Sequence, residues 1–203
     1  MSGATTLLQM GGVTLQPAKL ADAVVVIIDA QNEYVTGRVP LDGVAAALAR
    51  IADLLAAARE AGVPIIHVAQ RGRPGGLFDP ARPNFEFAAQ AAPLAGEGVV
   101  EKPLPNAFAK TDLDARLQAS GRRSLVIAGF MTHMCVSATT RSALDHGYSV
   151  TVLSDATATR DLPDPLGGHD LPARQVHHTA LAELADRFAA VARVADIKAL
   201  AHA

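Results

Sequence analysis

Three residues with reactive side chains each stand at or just beyond the end of an apolar run. Asp29 closes the run AVVVII, Lys102 closes the shorter run VVE, and Cys135, the only cysteine of the chain, follows SLVIAG by a few residues. Ligands of open α/β sheets bind outside the carboxyl ends of the strands. An acid, a base and a thiol that meet at such an edge could attack an electrophilic carbon, with Asp29 accepting the proton of the thiol.

The position of Cys135 favours the ionised form of its side chain. A helix is predicted from Cys135 to His146, and the N-terminus of a helix stabilises a negative charge. The positive charge of Lys102 would stabilise the thiolate further. Each residue also has a plainer interpretation, because a lone cysteine is often a small buried hydrophobe and a strand-end Asp or Lys is often a surface residue. Their common position at three strand ends favours a reactive site.

Strands and helices must alternate to bring these residues to one edge, and the hydrophobic pattern predicts that they do. Apolar and β-branched runs predict six strands, at residues 23–29, 63–68, 99–102, 124–129, 148–153 and 191–194. Helices are predicted between them, at residues 44–61, from an N-cap at Thr111 to 117, at 135–146 and at about 173–188. This alternation predicts a three-layer α/β/α fold around a doubly wound, mostly parallel six-stranded sheet.

We expect a single domain that spans residues 1–203, with its core at about 22–197. The length of 203 residues suits one domain with a sizeable core. Two stretches rich in Gly and Pro, 70–98 and 156–172, are long enough to be functional loops. Specificity for a ligand is therefore expected to depend on these two loops.

Composition and charge restrict the classes of partner. Half of the residues are hydrophobic and the formal net charge is −2, with 18 basic and 20 acidic residues interspersed. Because no block of Lys or Arg is present, we expect neither a nucleic acid nor a membrane as partner. The first twenty residues lack a basic start followed by an apolar core, so we expect no secretory signal and a soluble, cytoplasmic protein. The remaining partners are a small molecule and a second copy of the chain.

Four short stretches resemble the motifs of the isochorismatase-like cysteine hydrolases. Residues 29–34, DAQNEY, resemble the family's D-x-Q-N-D/E-F/Y motif, and Lys102 in EKPLPNAF resembles its lysine. Residues 129–136, GFMTHMCV, resemble its G-x-x-T-x-x-C-V nucleophile motif, and residues 154–156, SDA, which are expected after the fifth strand, also fit. The resemblance covers residues 22–197 in the right order and spacing, and it implies the family's α/β/α fold.

The resemblance implies a catalytic triad of Asp29, Lys102 and Cys135 that hydrolyses the C–N bond of a small amide. The cysteine would form a thioester and release ammonia or an amine, without a cofactor. The resemblance also implies an oxyanion hole made by the backbone N–H groups of Met131 and Cys135, next to a cis peptide bond between Phe130 and Met131. It further implies a homo-oligomer, either a dimer or larger.

The residues expected to contact the substrate lie in these motifs or in loops near the predicted site. Aromatic side chains in such loops could form the apolar wall of a small pocket, and Phe108 is expected to approach the substrate most closely. The expected substrate contacts are Gln31, Tyr34, Phe78, Phe108, Phe130 and Thr132.

The histidines do not predict a metal site. Nicotinamidases, one branch of the family, hold a divalent metal through an Asp-x-His motif and further histidines after the second strand. This chain has no histidine between His67 and His133, so we predict no metal. His67 is expected to be a packed core residue, and His133 is expected not to pair with Cys135. The histidines around the last long loop are expected in solvent or at a subunit contact: His169, His177 and His178.

Other functions stay open at this point. The substrate could be a cyclic amide or a ureido or carbamoyl compound, and nicotinamidase activity is a further alternative. The true isochorismatases of the family cleave a vinyl ether without needing a cysteine, so Cys135 argues against that chemistry. Outside enzymes, the alternative is a catalytically idle homologue with a binding or assembly role. The intact set of Asp, Lys and Cys argues against it.

Overall fold

A sheet that is covered on both faces explains the uninterrupted apolar run of the first strand, whose six residues are all buried. The computed structural model describes residues 3–200. Six strands form its sheet: β1 (Ala23–Ile28), β2 (Ile65–Gln70), β3 (Gly98–Lys102), β4 (Ser124–Phe130), β5 (Ser149–Ala158) and β6 (Ala190–Ala192). Their order is β3-β2-β1-β4-β5-β6, and every neighbouring pair is parallel. The predicted doubly wound α/β fold is confirmed.

Helices pack on both faces of this sheet. Within the described residues, the α-helices are α1 (Leu7–Met10), α2 (Val44–Glu60), α3 (Leu113–Ala119), α4 (Ser137–Asp145), α5 (Ala173–Arg187) and α6 (Val194–Leu200). Val25 and Ile27 of β1 share a core with α2 and α6, whereas Val24 and Val26 share the opposite core with α3, α4 and α5. The alternation of β1 therefore separates the two helical layers. Over residues 3–200, no helix combines the length and the apolar character that crossing a membrane requires.

The helix that was predicted to begin at Cys135 begins three residues earlier, so this predicted boundary is wrong. A π-helical turn, Thr132–Val136, leads into α4 without a break. In this turn the N–H of Val136 donates to the carbonyl of Met131 at 3.2 Å. The five-residue spacing of that bond does not follow the period of 3.6 residues from which the boundary was predicted. Cys135 consequently lies inside the first helical turn.

The N-cap predicted at Thr111 is also misplaced, because α3 begins only at Leu113. Lys110 has a left-handed backbone with a φ of 60°, which interrupts the chain just before the helix. The hydroxyl of Thr111 still accepts a hydrogen bond from the N–H of Leu113 at 3.2 Å, as in a polar turn that precedes a helix.

Two strands end later than predicted. β2 continues to Gln70 instead of 68, and β5 continues to Ala158 instead of 153, so residues 154–156 lie within β5 rather than after it. The pairing of β4 with β5 is irregular between Ile127 and Gly129, and it resumes beyond this irregularity as far as the end of β4. A bulge of this kind inserts extra residues into one strand. The extra residues interrupt the hydrophobic pattern, so the strand was predicted to end there.

Gly129 occupies a position that only glycine fits. It pairs with Ile28 across the β1–β4 boundary, and its φ is 114°, a conformation that strains other residues. A Cβ atom at this position would lie 1.9 Å from the carbonyl oxygen of Ile28. The missing side chain therefore allows the backbones of β1 and β4 to approach at the point where Asp29 and the π-helical turn begin.

Replacing Gly129 with alanine is expected to destabilise the fold severely. The added methyl group must push β4 away from Ile28, and we expect the free energy of unfolding to fall by more than about 4 kcal/mol. Gly147→Ala is the matched control, because Gly147 also has a positive φ, 81°, but has open space where a Cβ would be added. In Gly147→Ala the free energy of unfolding is expected to fall by about 1–2 kcal/mol. Urea denaturation measures the free energy of unfolding of both variants. Equal losses would show that the contact with Ile28 does not cause the destabilisation.

Candidate active site

The candidate site lies where the strand order of the sheet reverses. β1 and β4 are neighbours, and the chain runs outward from β1 through β2 to β3 on one side and from β4 through β5 to β6 on the other. Such a switch point opens a crevice outside the carboxyl ends of the strands. Asp29 directly follows β1, Lys102 ends β3, and Cys135 lies in the π-helical turn that follows β4.

The side chains of these three residues meet at this edge. The Nζ of Lys102 lies 2.8 Å from Asp29 Oδ2 and donates a hydrogen bond to Cys135 Sγ at 3.3 Å. Asp29 and Lys102 are fully buried, and only 4% of Cys135 is exposed. The structure thus brings the predicted trio together, with the lysine between the acid and the thiol.

Gln70, which the sequence analysis assigned to a loop, completes the surroundings of the lysine. Lys102 Nζ donates to Gln70 Oε1 at 2.6 Å, so it forms hydrogen bonds with Gln70 and Cys135 and an ion pair with Asp29. Gln70 was missed because the second strand was predicted to end at 68. Its place as the last residue of β2, at the same edge of the sheet, is the signal that would have found it.

Gln31 was expected to contact the substrate, but its amide holds two parts of the chain instead. Its Nε2 donates to the carbonyl oxygens of Gln70 at 3.2 Å and Phe85 at 2.7 Å, and its Oε1 accepts from the N–H of Gln70 at 2.8 Å. The side chain is fully buried. Gln31 therefore fixes the end of β2 and the loop that follows it, and all of these hydrogen bonds would have to break before its amide could bind a ligand.

Asp29 combines an uncommon backbone with a perturbed carboxyl group. Its φ of 50° is left-handed, a conformation that Asp tolerates better than most residues, and its N–H donates to the carbonyl of Val68 at 2.8 Å. Burial raises the pKa of the carboxyl group, and the positive charge of Lys102 opposes this rise. An acid with a raised pKa holds a transferred proton more readily, which suits a group that receives and returns one.

The pKa of the Cys135 thiol lies above its usual value, not below it as the helix terminus and Lys102 had led us to expect. Burial and then the negative charge of Asp29 raise its pKa to about 12, whereas Lys102 lowers it. The expectation was wrong because it weighed the helix terminus and the lysine but not the loss of water around the sulfur. The thiol can therefore become a nucleophile only as its proton leaves, and Asp29 is the adjacent base.

Tyr34, Phe78 and Phe130 form an aromatic cluster beside the site. The ring of Tyr34 meets those of Phe78 and Phe130 edge-on, with centroids 5.0 and 6.1 Å apart, and all three side chains are buried. Burial raises the pKa of the Tyr34 hydroxyl, and the negative charges of Asp29 and Cys135 raise it further. The hydroxyl therefore lies within the electrostatic field of the site and remains protonated. The three residues stay predicted substrate contacts.

Phe108 and Thr132, two other predicted substrate contacts, have their side chains engaged elsewhere. The ring of Phe108 stacks on that of His146 with centroids 4.6 Å apart, and it packs in the core. The hydroxyl of Thr132 donates to the carbonyl of Ala158 at 3.1 Å and contacts Nδ1 of His177 at 2.9 Å. His177, expected in solvent or at a subunit contact, is thus partly buried against the start of the π-helical turn.

His67 and His133 each contact a polar group of another element. His67 is fully buried, and its Nε2 lies 2.8 Å from Glu97 Oε2, as befits a packed core residue. His133 directs Nδ1 to the hydroxyl of Thr159 at 2.5 Å, and no hydrogen bond joins it to Cys135 in the described part of the chain. Within residues 3–200, no group of three or more His, Cys, Asp or Glu side chains is arranged to hold a metal ion.

The backbone between β4 and Cys135 is shaped by a tight turn. The peptide bond between Phe130 and Met131 is cis. The carbonyl of Met131 accepts hydrogen bonds from the N–H groups of Met134 at 3.0 Å and Val136 at 3.2 Å. The assignment of an oxyanion hole to the N–H groups of Met131 and Cys135 stays a prediction.

Comparisons with known proteins agree on one family. Residues 23–196 match the isochorismatase domain. The crystal structure of an isochorismatase from Pseudomonas putida KT2440 is 47% identical with a TM-score of 0.92, covering 96% of this chain and 100% of its own. A secreted isochorismatase effector of Verticillium dahliae is 38% identical over 189 residues, 93% of this chain and 96% of its own length. Maleamate amidohydrolase of Pseudomonas putida is 32% identical over 151 residues, 66% of this chain and 71% of its own length.

Substitutions of Asp29 and of Lys102 are expected to change the pKa of the thiol in opposite directions. Asn at position 29 removes a negative charge that raises the pKa of Cys135, so Asp29→Asn should lower this pKa from about 12 and accelerate alkylation. Lys102→Met removes the cation that lowers the pKa and should slow alkylation. Lys102→Arg keeps the charge in a different shape and should restore only part of the rate. The measurement is the pH dependence of labelling by iodoacetamide. An unchanged profile in Lys102→Met would contradict the contact between Lys102 and the thiol.

Proposed function

Because the chain belongs to the isochorismatase family of hydrolases, we propose that it is a cysteine-dependent amidohydrolase that cleaves the C–N bond of a small amide. One observation carries the proposal: a buried ammonium group, Lys102 Nζ, contacts both a carboxylate, 2.8 Å away, and a thiol, 3.3 Å away, at the switch point of the sheet. A nucleophile with an adjacent base is one of the arrangements by which covalent catalysis activates a thiol. The similarity to a maleamate amidohydrolase supports an amide as the substrate class.

In the first half of the proposed reaction, Cys135 Sγ attacks the carbonyl carbon while its proton passes to Asp29. The carbonyl oxygen becomes an oxyanion, which the N–H groups of Met131 and Cys135 are proposed to stabilise. The C–N bond then breaks, Asp29 returns the proton to the leaving nitrogen, and ammonia or an amine departs. The acyl group remains on the sulfur as a thioester.

In the second half, water replaces the amine. Asp29, again a carboxylate, takes a proton from a water molecule, and the resulting hydroxide attacks the thioester carbon. The C–S bond breaks, the carboxylic acid leaves, and the proton on Asp29 returns to Cys135 Sγ. Lys102 keeps its charge throughout and balances the negative charge that moves between Asp29 and the sulfur.

Two other expectations belong to the same proposal. We propose a homo-oligomer, because the motifs shared with the isochorismatase-like hydrolases imply one. A cytoplasmic compartment remains our proposal for this chain, although the Verticillium relative is described as secreted.

Removing the thiol is expected to abolish amide hydrolysis. Cys135→Ala leaves no nucleophile, so the kcat for release of ammonia from the best substrate in a panel of small amides should fall at least about 10³-fold. Cys135→Ser is the matched control, since it keeps the size of the side chain but offers a poorer nucleophile. Circular dichroism and the Tm should remain close to wild type in both. Retention of wild-type turnover in Cys135→Ala would exclude a thioester.

Hydrolysis is expected to be independent of metal ions. The proposed steps use only Asp29, Lys102, Cys135 and backbone groups, so preincubation with EDTA and dialysis should leave kcat/KM within error of the untreated enzyme. Elemental analysis of the active protein provides the control. Loss of activity that zinc or iron restores would favour the nicotinamidase alternative.

A further inference from the structure

His177 contacts the turn that carries the nucleophile, although none of the motifs includes this histidine. It belongs to α5, and its Nδ1 lies 2.9 Å from the hydroxyl oxygen of Thr132, the first residue of the π-helical turn. The two residues are 45 positions apart in the chain. Through His177, α5 therefore reaches the segment between β4 and Cys135.

The geometry fixes the direction of the hydrogen bond between these two side chains. A threonine hydroxyl has a single hydrogen, and that of Thr132 is donated to the carbonyl oxygen of Ala158 at 3.1 Å. The bond with His177 must then be donated by Nδ1–H and accepted by the hydroxyl oxygen. Burial lowers the pKa of His177, which favours the neutral ring, and a neutral ring in this contact carries its one N–H hydrogen on Nδ1.

Thr132 consequently joins three elements of the fold. Its backbone begins the turn after β4, its hydroxyl donates to the end of β5 at Ala158, and the same hydroxyl accepts from α5. The side chain is fully buried, so water does not compete with either partner. A hydroxyl that both donates and accepts is held in one orientation, which fixes Thr132 relative to the sheet and to α5.

The π-helical turn lacks the usual side-chain cap at its beginning. The first N–H groups of a helix have no acceptor within the helix, and a side chain at the cap position commonly binds one of them. Here the cap position is Met131, and no side chain makes this bond. Lateral contacts such as those of Thr132 therefore help to determine where the turn lies, with Cys135 inside it.

We propose that His177 is a positioning residue, which holds the π-helical turn so that its backbone N–H groups meet the oxyanion of the reaction. The inference rests on the proposed amide hydrolysis, in which the N–H groups of Met131 and Cys135 stabilise the negative oxygen. Such donors act only when they point to the place where the charge develops, and a misplacement of about 1 Å can lower the rate about 100-fold. In the described part of the chain, His177 forms no hydrogen bond with the thiol or with Asp29. We therefore expect it to affect the oxyanion and not the reactivity of the sulfur itself.

Variants of similar shape separate the N–H donor from the packing. Asn places its amide nitrogen where His places Nδ1, and Leu has nearly the same outline without a donor. His177→Leu should lower kcat for the best substrate of the amide panel by about 10- to 100-fold and leave KM within about twofold. His177→Asn should recover most of this loss. His178→Leu, which changes the exposed neighbour on the same helix, is the control and should hydrolyse the amide as wild type does.

Alkylation of the thiol shows whether the loss is specific to the oxyanion. Iodoacetamide reacts at a saturated carbon and forms no oxyanion, so the labelling of Cys135 should stay within about twofold of wild type in His177→Leu. A fall in alkylation that parallels the fall in kcat would show that the whole site is disturbed, and it would overturn the assignment. Wild-type kcat in His177→Leu, no recovery in His177→Asn, or the same loss in His178→Leu would overturn it as well.

Removal of the acceptor tests the same contact from its other side. Thr132→Val keeps the shape of the side chain without the hydroxyl, so kcat should fall at least as far as in His177→Leu. In the Thr132→Val background, His177→Leu should have no further effect, because two changes that break one contact are not additive. Losses that multiply would show that the hydrogen bond is not their common cause. If His177→Leu fails to fold, Thr132→Val and His177→Asn still decide the matter: the first should lose kcat and the second should retain it.

Hydrogen exchange tests the position of the turn without any substrate. The N–H groups of Met134 and Val136 donate to the carbonyl of Met131, and by NMR they should exchange at least about 10-fold faster in His177→Leu than in wild type. His177→Asn should restore their protection, and the N–H of Val25 in β1 should exchange equally in all three proteins. Equal exchange at Met134 and Val136 would overturn the role of His177. If wild type cleaves none of the amides, the proposed hydrolysis fails while hydrogen exchange still decides whether His177 holds the turn.

Discussion

An ammonium group that is closed off from water controls both the chemistry and the architecture of this site. Lys102 is fully buried; it donates hydrogen bonds to Gln70 and Cys135 and forms an ion pair with Asp29. Removal of one partner of a buried ion pair typically costs about 3–5 kcal/mol, because the remaining charge is left uncompensated. The ends of β1, β2 and β3 must therefore stay in register. The pairing of Gln70 with Lys102 across β2 and β3 is part of that register.

The burial of the site also raises the pKa of the Cys135 thiol. Burial and the charge of Asp29 raise the pKa of Cys135, so its thiol holds the proton more firmly than a cysteine in water does. Thiolates, and not thiols, react with oxidants and alkylating agents, so the neutral form protects the single cysteine from side reactions. In the proposed mechanism, attack on an electrophilic carbon and proton transfer would therefore occur together.

The sequence was sufficient to place the three reactive residues at one edge of the sheet but not to predict what surrounds them. Asp29, Lys102 and Cys135 could be placed together because parallel strands bring their carboxyl ends to one edge, and apolar runs mark where those ends lie. Gln70 was not predicted as a site residue because β2 continues past the apolar run. The hydrogen bonds of Gln31 depend on a loop more than fifty residues away, which no local pattern reports. The protonation of the thiol depends on the exclusion of water, which appears only in the folded chain.

The hydrogen bonds of Gln31 have a consequence for how such a protein can diversify. They anchor the chain at Gln70 and again at Phe85, so the segment between these points begins and ends at fixed positions. Substitutions, insertions or deletions within 71–84 can reshape the surface above the sheet while the anchors keep the reacting groups in place. The segment can in this sense be exchanged as a unit between its two anchors. New compounds could come to be recognised by altering it, while the bond-breaking step is inherited unchanged.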